Sequence, residues 1–502
     1  MPKKKPALAV GDVFAMPQAR GDWGACQVVR VDGRDVEVAA LDHRSEARPS
    51  LADVAPRAVV CERYNVHRGE PARVHVIDAP PTDFIPLGAL APALPALPSS
   101  NSWASWQALR DEAAREARWR AIPEDVRRRY REGAASNTQI TIALPAGPLK
   151  LPRRAYAVRL AFDEARPERT WTRAGESRSF DWGALDALPC LSHVAVRGDA
   201  PGLLAWLATR PLVNDLIWED FSADALDLRG LGLTKAALRP ARLASLRLPD
   251  GLDELALAPL GAPLTVVAEA DGAFLDVHLN VWTGDDLASL RGLGEARSLT
   301  VAGFSALDLA AVARAFPKLR ALTLTGAPGR VQGAASLAAL PSLEDLRVWG
   351  CVGFDVENLP PLASLPALSQ ARFTGLRASD RAALHARWGK DRRVASNAPI
   401  DDAQVFAVAD FPLLRWPQGQ RKELVCAGYT RAARAILKGE LTPAAAAKAL
   451  GMFATAVARA LEHTGPLTAA ERADVEASWQ RLTAHAAARA PGASFAKAKK
   501  TW

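Results

Sequence analysis

Cysteine is scarce in this 502-residue chain: the five thiols, at 26, 61, 190, 351 and 426, are odd in number and never form a C-x-x-C pair. That excludes a zinc ribbon or a redox dithiol and predicts a reducing compartment. Long apolar runs are missing as well. No window reaches eighteen uninterrupted apolar residues, and the basic start Met1-Pro-Lys-Lys-Lys-Pro6 runs into Ala-Leu-Ala-Val and then Gly11-Asp12, short of a signal-peptide core. No membrane span is expected, and the expected location is the cytoplasm. Gly-x-Gly-x-x-Gly, the P-loop, Gly-x-Ser-x-Gly and His-Glu-x-x-His are all absent, so no familiar nucleotide, acyl-transfer or zinc-hydrolase site is signalled. The sequence therefore predicts no cofactor, no metal and no enzyme.

What is present is a long, modular, soluble chain. Its length suggests two to four folding units. With 49% hydrophobic and 24% charged residues it can build cores and stay in solution. The 63 basic residues exceed the 55 acidic ones by eight. Because these charges are spread along the chain rather than gathered in a stripe, they suit an acidic partner without demanding nucleic acid, which is not the expected partner.

Residues 8–79 alternate apolar and polar positions in runs such as Val10 to Met16, Ala25 to Val31, Val36 to Leu41 and Val74 to Ile77, separated by turn-forming segments. Period-two runs of this length predict a small antiparallel barrel or curled sheet. A proline-rich stretch then marks a boundary near residue 100. From Trp103 the apolar spacing becomes helical, broken at Ile122-Pro123, and 101–135 is expected to be a helical linker. The segments Gly11-Asp-Val-Phe-Ala-Met-Pro17, Trp23-Gly-Ala-Cys-Gln-Val-Val-Arg30 and Phe84-Ile-Pro-Leu-Gly88 resemble the immunity-protein 26 type of domain. That resemblance covers about the first hundred residues and implies a domain that neutralises a secreted bacterial toxin.

The centre of the chain is repetitive. A pattern of apolar, two spacers, apolar, one spacer, apolar occurs as Leu191/Val194/Val196, Val213/Leu216/Trp218, Leu252/Leu255/Leu257 and Phe274/Val277/Leu279. It continues as Ala296/Leu299/Val301, Leu319/Leu322/Leu324, Leu343/Leu346/Val348 and Leu368/Ala371/Phe373. The starts are 22, 39, 22, 22, 23, 24 and 25 residues apart, a period near two dozen. The gap of 39 hides one degenerate unit, supplied either by Leu226/Leu228 or by Leu243/Leu246/Leu248. Proline two residues before five of the starts, at 189, 211, 317, 341 and 366, ends the preceding segment. The region resembles bacterial leucine-rich-repeat proteins, although the usual asparagine eight residues after each start is replaced by an accepted alternative only at Cys351. The resemblance implies an α/β multidomain protein in which a solenoid over 181–392 is flanked by a small β-rich domain and a C-terminal helical domain over 393–502. Residues 136–180 are expected to form a strand-rich cap that covers its first apolar flank.

Side chains alternate along a strand, so the spacers of such a pattern face outward together. They form one row of His278, Thr300, Thr323, Arg347 and Arg372, and a second of Asn280, Ala302, Thr325, Trp349 and Thr374. An adjoining row holds Arg297, Arg320, Glu344 and Ser369. Trp349 beside Arg347 and Arg372 is the expected anchor for a protein partner, since Trp and Arg dominate interface energetics; the alternative is that the indole folds over its own neighbours. The partner-binding set is Trp349, Arg347, Arg372, Arg320, Thr323, Glu344, His278 and Asn280.

After a mixed connector over 401–416, three helices are expected, at Glu423 to Lys438, Ala444 to His463 and Thr468 to Ala488. Thr442-Pro443 opens the second and a Thr468/Glu471 capping box the third, ahead of a basic tail at 496–502. This layout resembles the helical extension on some bacterial repeat proteins. The paired acids Asp285-Asp286 and Asp401-Asp402 read as helix or turn caps. Three functions follow: a cytoplasmic binder of a protein partner; an immunity protein acting on a toxin through residues 1–100; and an enzyme with a site around His43, His67 and His75.

Overall fold

The computed structural model describes residues 8–94, 106–162, 170–397, 413, 416 and 420–491, apart from 19, 33–34, 59, 62–69, 72, 77–78, 82, 259–261, 281–283, 305, 390 and 438–439. It is a mixed α/β protein with an N-terminal antiparallel sheet, a large parallel sheet and a C-terminal helical region. His67, Trp103, Asp401, Asp402 and the basic tail lie outside the described residues. The chain divides into two compact units, one of Met1–Ile142, Lys150–Tyr156 and Leu185–Leu191, the other of the remainder.

The alternating runs of the first unit become strands β1 (Asp12–Pro17), β2 (Trp23–Asp32) and β3 (Asp35–Ser45), the short pair β4 (Val60–Cys61) and β5 (Glu70–Pro71), then β6 (Arg73–Val76) and β7 (Ile85–Ala89). Five of them form an antiparallel sheet in the order β6-β3-β2-β1-β7. Among the described residues β6 and β7 remain edges, so the sheet is open and the barrel-like closure is not formed. Apolar side chains cover both faces instead: Phe14, Val28, Val38 and Phe84 on one, and Val13, Ala25, Leu41 and Val54 on the other. The amide of the fully buried Gln27 donates to the carbonyls of Leu90 and Ala91 and accepts from the Ala93 backbone N–H at 2.7 Å, tying the chain after β7 to β2.

Helices α1 (Arg110–Ala121) and α2 (Glu124–Ala134) follow, broken at Pro123 as expected. The segment before them is no linker. Trp106 and Leu109 are buried in the core of the sheet, with the Trp106 indole edge-on to Phe14 at 5.6 Å and to Phe84 at 5.8 Å. Burying an indole removes about 150–250 Å² from water, worth at most roughly 4–6 kcal/mol, which is enough to hold the segment down. Its helical spacing was legible from sequence, whereas the surface awaiting Trp106 was not.

A two-stranded ladder of β8 (Gln139–Ile142) and β9 (Leu149–Pro152) precedes the parallel sheet. The chain then lays down β10 (Ala157–Phe162), β11 (Thr172–Gly175), β12 (His193–Arg197), α3 (Leu203–Ala208), β13 (Asp215–Glu219), β14 (Ala225–Asp227), β15 (Lys235–Arg239) and β16 (Ser245–Arg247). Next come β17 (Glu254–Leu257), β18 (Leu264–Val267), β19 (Asp276–Asn280), α4 (Gly284–Ser289), β20 (Leu290–Arg291), β21 (Ser298–Ala302), β22 (Ala306–Asp308) and α5 (Leu309–Ala315). The series ends with β23 (Ala321–Gln332), β24 (Asp345–Phe354), β25 (Gln370–Thr374), α6 (Ala378–Trp388) and β26 (Val394–Ser396). The large sheet runs β11-β10-β12-β13-β15-β17-β19-β21-β23-β24-β25-β26, with β22 beside β23 and every pairing parallel. Each template residue pair falls in register: Leu216, Ala236, Leu255, Val277, Leu299, Leu322, Leu346 and Ala371 form one buried row.

Three expectations need correction here. The sheet begins at β10 and ends at β26, so it reaches beyond 181–392; of the strands expected to cap it, β10 and β11 are members of it, with Val158 and Leu160 beside Val194 and Val196, whereas β8 pairs only with β9. The unit hidden in the 39-residue gap is Leu233/Ala236/Leu238 on β15, starting 20 residues after Val213 and 19 before Leu252. Its short spacings, below the 22 to 25 residues of the other units, concealed it. Leu226 and Leu246, proposed for that role, belong to a second parallel sheet, β14-β16-β18-β20. The two shortest periods leave too few residues for a helical turn between successive large-sheet strands, so those return segments pair as β14 and β16; longer periods return through helices or 3-10 turns. In β19 the buried first position is Leu275 rather than Phe274.

Among the described residues the C-terminal region forms three helices, α7 (Gln420–Leu437), α8 (Pro443–Thr464) and α9 (Ala469–Arg489). Thr442 caps α8 by accepting from the Ala445 N–H, and Thr468 and Glu471 close the capping box on α9. Although α8 is long and apolar enough to cross a membrane by length and composition, Ala446, Leu450, Phe453 and Val457 on it pack into a core with Tyr429, Trp479 and Leu482.

Candidate functional site

Strand alternation leaves one face of the large sheet lined by the odd-numbered positions of each five-residue strand, in three parallel rows. The first residues run His193, Asp215, Lys235, Glu254, Asp276, Ser298, Ala321, Asp345 and Gln370. The middle row brings His278, Thr300, Thr323, Arg347 and Arg372 side by side, and the last aligns Asn280, Ala302, Thr325, Trp349 and Thr374. Backbone bonds from Arg320 N–H to Arg297, Glu344 N–H to Arg320 and Ser369 N–H to Glu344 align the fourth row just ahead of the strands.

The charges on this face are ordered from strand to strand. On the earlier strands basic side chains meet carboxylates from the adjoining unit: Lys235 Nζ lies 2.6 Å from Glu254 and the Arg197 guanidinium 3.0 Å from Glu219, while His193 Nδ1 is hydrogen-bonded to Asp215 at 2.8 Å. Arg197 also stacks at 4.5 Å over the Trp171 ring. His278 stands 4.0 Å from Glu254, and Asn280 is exposed. Such cross-strand pairs contribute about 0.2–1 kcal/mol each. Further along, Arg320 donates to Glu344 at 2.8 Å, so these two candidate binding residues neutralise each other.

The pattern breaks at β24 and β25. Arg347 and Arg372 are register partners, placing two guanidinium-bearing residues directly across the ladder. Arg347 is held from its own strand by Asp345 at 2.7 Å, and its Nε has no hydrogen-bond partner. Arg372 is exposed beside Gln370, whose amide oxygen accepts from it when turned to suit. Trp349, between Thr325 and Thr374, is 41% exposed and so is not folded beneath its neighbours.

A backbone device sets the position of that indole. Immediately after Trp349 the β23–β24 register slips, and three glycines allow the close approach. Gly350 has φ +62°, and a Cβ there would stand 2.4 Å from the Gly326 carbonyl oxygen; one on Gly329 would strike the Phe304 ring at 2.4 Å. Cys351, next in line, is fully buried, and its thiol, pushed up to about 12 by burial, points at the Leu324 carbonyl 3.8 Å away. Gly326 and Gly329 lie on β23 and Gly350 on β24, so only the pairing of the two strands brings the three together.

The histidine grouping has a different environment. His75 is buried on β6 with its Nε2 3.6 Å from the Glu37 carboxylate, which also pairs with Arg73 at 3.1 Å; His43 bonds Ser45 at 3.1 Å. Among the described residues no group of three or more His, Cys, Asp or Glu is placed to hold a metal ion. A hollow of about 10 Å³ lined by Leu248, Leu252, Phe274 and Leu275 falls far below the roughly 300–1,000 Å³ of small-molecule sites. No protein-family model matches the chain, and no curated protein matches it in sequence.

Proposed function

We propose that residues 157–396 form a leucine-rich-repeat solenoid and that the chain is a non-enzymatic cytoplasmic protein that binds a protein partner on the face carrying Trp349. The observation that carries this reading is the indole itself: a large aromatic side chain left 41% exposed in the middle of aligned rows, next to two arginines. Exposed aromatic anchors flanked by arginine are the side chains that dominate binding interfaces. The stacking of units at intervals near two dozen residues supports the solenoid, since each unit's apolar flank is covered only by its neighbours. The test is affinity capture from the native cell with the full chain and with Trp349→Ala and Arg347→Glu. A partner retained by the wild type and lost by both variants, which keep their melting temperature, supports the reading. Equal capture by all three removes it.

A second reading rests on the N-terminal sheet. The three segments resembling the immunity-protein 26 type fall on or beside strands β7, β1 and β2, which are neighbours in the sheet, so the resemblance maps to one contiguous part of the fold. A toxin gene next to this one, with protection of cells by the full chain, is the expected finding; unprotected cells count against it.

A further inference from the structure

Between β12 and β19 the cations of the outward rows are matched by carboxylates one strand away. At β25 this matching stops: Arg372 faces Arg347 on one side and Ala395 on the other. Like charges directly across a ladder repel. Asp345 engages Arg347 through one nitrogen only, and Arg372 has no carboxylate among the described residues. The face thus carries a local surplus of positive charge, with an exposed indole two residues along the strand from Arg347.

We infer that this patch binds an acidic segment of a partner protein, in which one or two Asp or Glu side chains engage Arg347 and Arg372 while an adjacent apolar side chain packs on Trp349. This rests on the docking face proposed above and names its occupant. The charge argument is specific. A carboxylate entering between the two arginines relieves their repulsion and accepts paired N–H bonds from a planar fork, the geometry guanidinium favours. A nucleic-acid strand suits the patch less well, because Glu344 and Asp345 hold their own carboxylates at the same surface and repel a run of phosphates.

The test is selection from a displayed random-peptide library on the immobilised full chain, with affinities of the recovered peptides then measured on Trp349→Ala and on the Arg347→Ala/Arg372→Ala double variant. All the substituted side chains are exposed or half-exposed, and each variant's melting curve checks its fold. Recovered peptides are expected to carry adjacent Asp or Glu next to an apolar residue. Their affinity should fall about tenfold or more on the double variant, since an exposed ion pair contributes up to about fivefold, and should fall with added salt. Neutral or basic peptides, or acidic ones that bind the double variant as tightly, overturn the acidic occupant; if those peptides still need Trp349, the docking face stands without it. Peptides indifferent to Trp349, or a library that yields no binder, overturn both. Displacement of the peptides by a single-stranded oligonucleotide at lower concentration assigns the patch to nucleic acid and overturns the inference.

Discussion

Leu324→Ala tests the stacked-unit architecture on which the proposed binding face depends. Leu324 is fully buried on β23, with Val301 and Val348 as its register partners on the strands either side. Removing its isopropyl group leaves a hole among side chains anchored to their own strands and poorly able to collapse, so the loss falls within the roughly 2–5 kcal/mol of buried Leu→Ala changes. In a stack whose units touch only their neighbours, that loss stays local. Amide hydrogen exchange measured segment by segment should show β21, β23 and β24 opening about a hundredfold more readily, the equivalent of about 3 kcal/mol. The amides of β1–β3 and of α8 should change by less than about threefold on the same reasoning. Uniform acceleration throughout the chain would mean a single cooperative core and refute the stacked-unit argument; so would acceleration below about tenfold in β23 itself.

Gly350→Ala should lower the melting temperature, because a side chain at φ +62° costs about 1–2 kcal/mol before the contact with the Gly326 carbonyl is counted; an unchanged melting curve removes the proposed role of the bulge. Asp227 is held at about 2, chiefly by the Arg229 side chain, so its contribution to stability is present above the ordinary carboxylate range and is lost as pH falls through about 2. Arg229→Ala should return the carboxyl towards 3.8 in a carbon-13 titration, and a carboxyl that stays near 2 contradicts the assignment. Burial pushes the Cys351 thiol up to about 12 and Cys426 to about 11, so iodoacetamide at pH 8 should modify Cys351 at least about a hundredfold more slowly in the native chain than in urea, read by peptide mass spectrometry. Comparable rates would show that the β23–β24 bulge opens freely.

The repeat pattern was readable because burial imposes the same apolar spacing on each strand, and eight strand positions and their lateral rows followed from counting. The unit on β15 escaped because it starts 20 residues after Val213 and 19 before Leu252, short of the 22 to 25 that separate the other units, and a central alanine, which Ala371 shares, adds little hydrophobic signal. Strand β10 was legible as a strand, yet its membership of the large sheet was not: the intervening chain first forms β11, which pairs on β10's other side. The same limit applied to Trp106, whose helical spacing says nothing about which sheet covers it. At the candidate site, Trp349, Arg347 and Arg372 were identifiable as outward spacers, whereas the pairing of Arg320 with Glu344 required the offset between neighbouring strands.

Residue spacing alone determined which side chains of the central region are buried, which share an outward row, and where the C-terminal helices begin, because these depend on local periodicity and on capping chemistry a few residues away. Tertiary structure alone decided where the large sheet starts and stops, which return segments pair as a second sheet, and which charges are matched across the ladder. Those outcomes depend on contacts between residues twenty or more positions apart, whose relative offset no local pattern encodes. That Arg372 has only Arg347 and Ala395 as register partners, while Asp345 holds Arg347 from its own strand, was decided at this level.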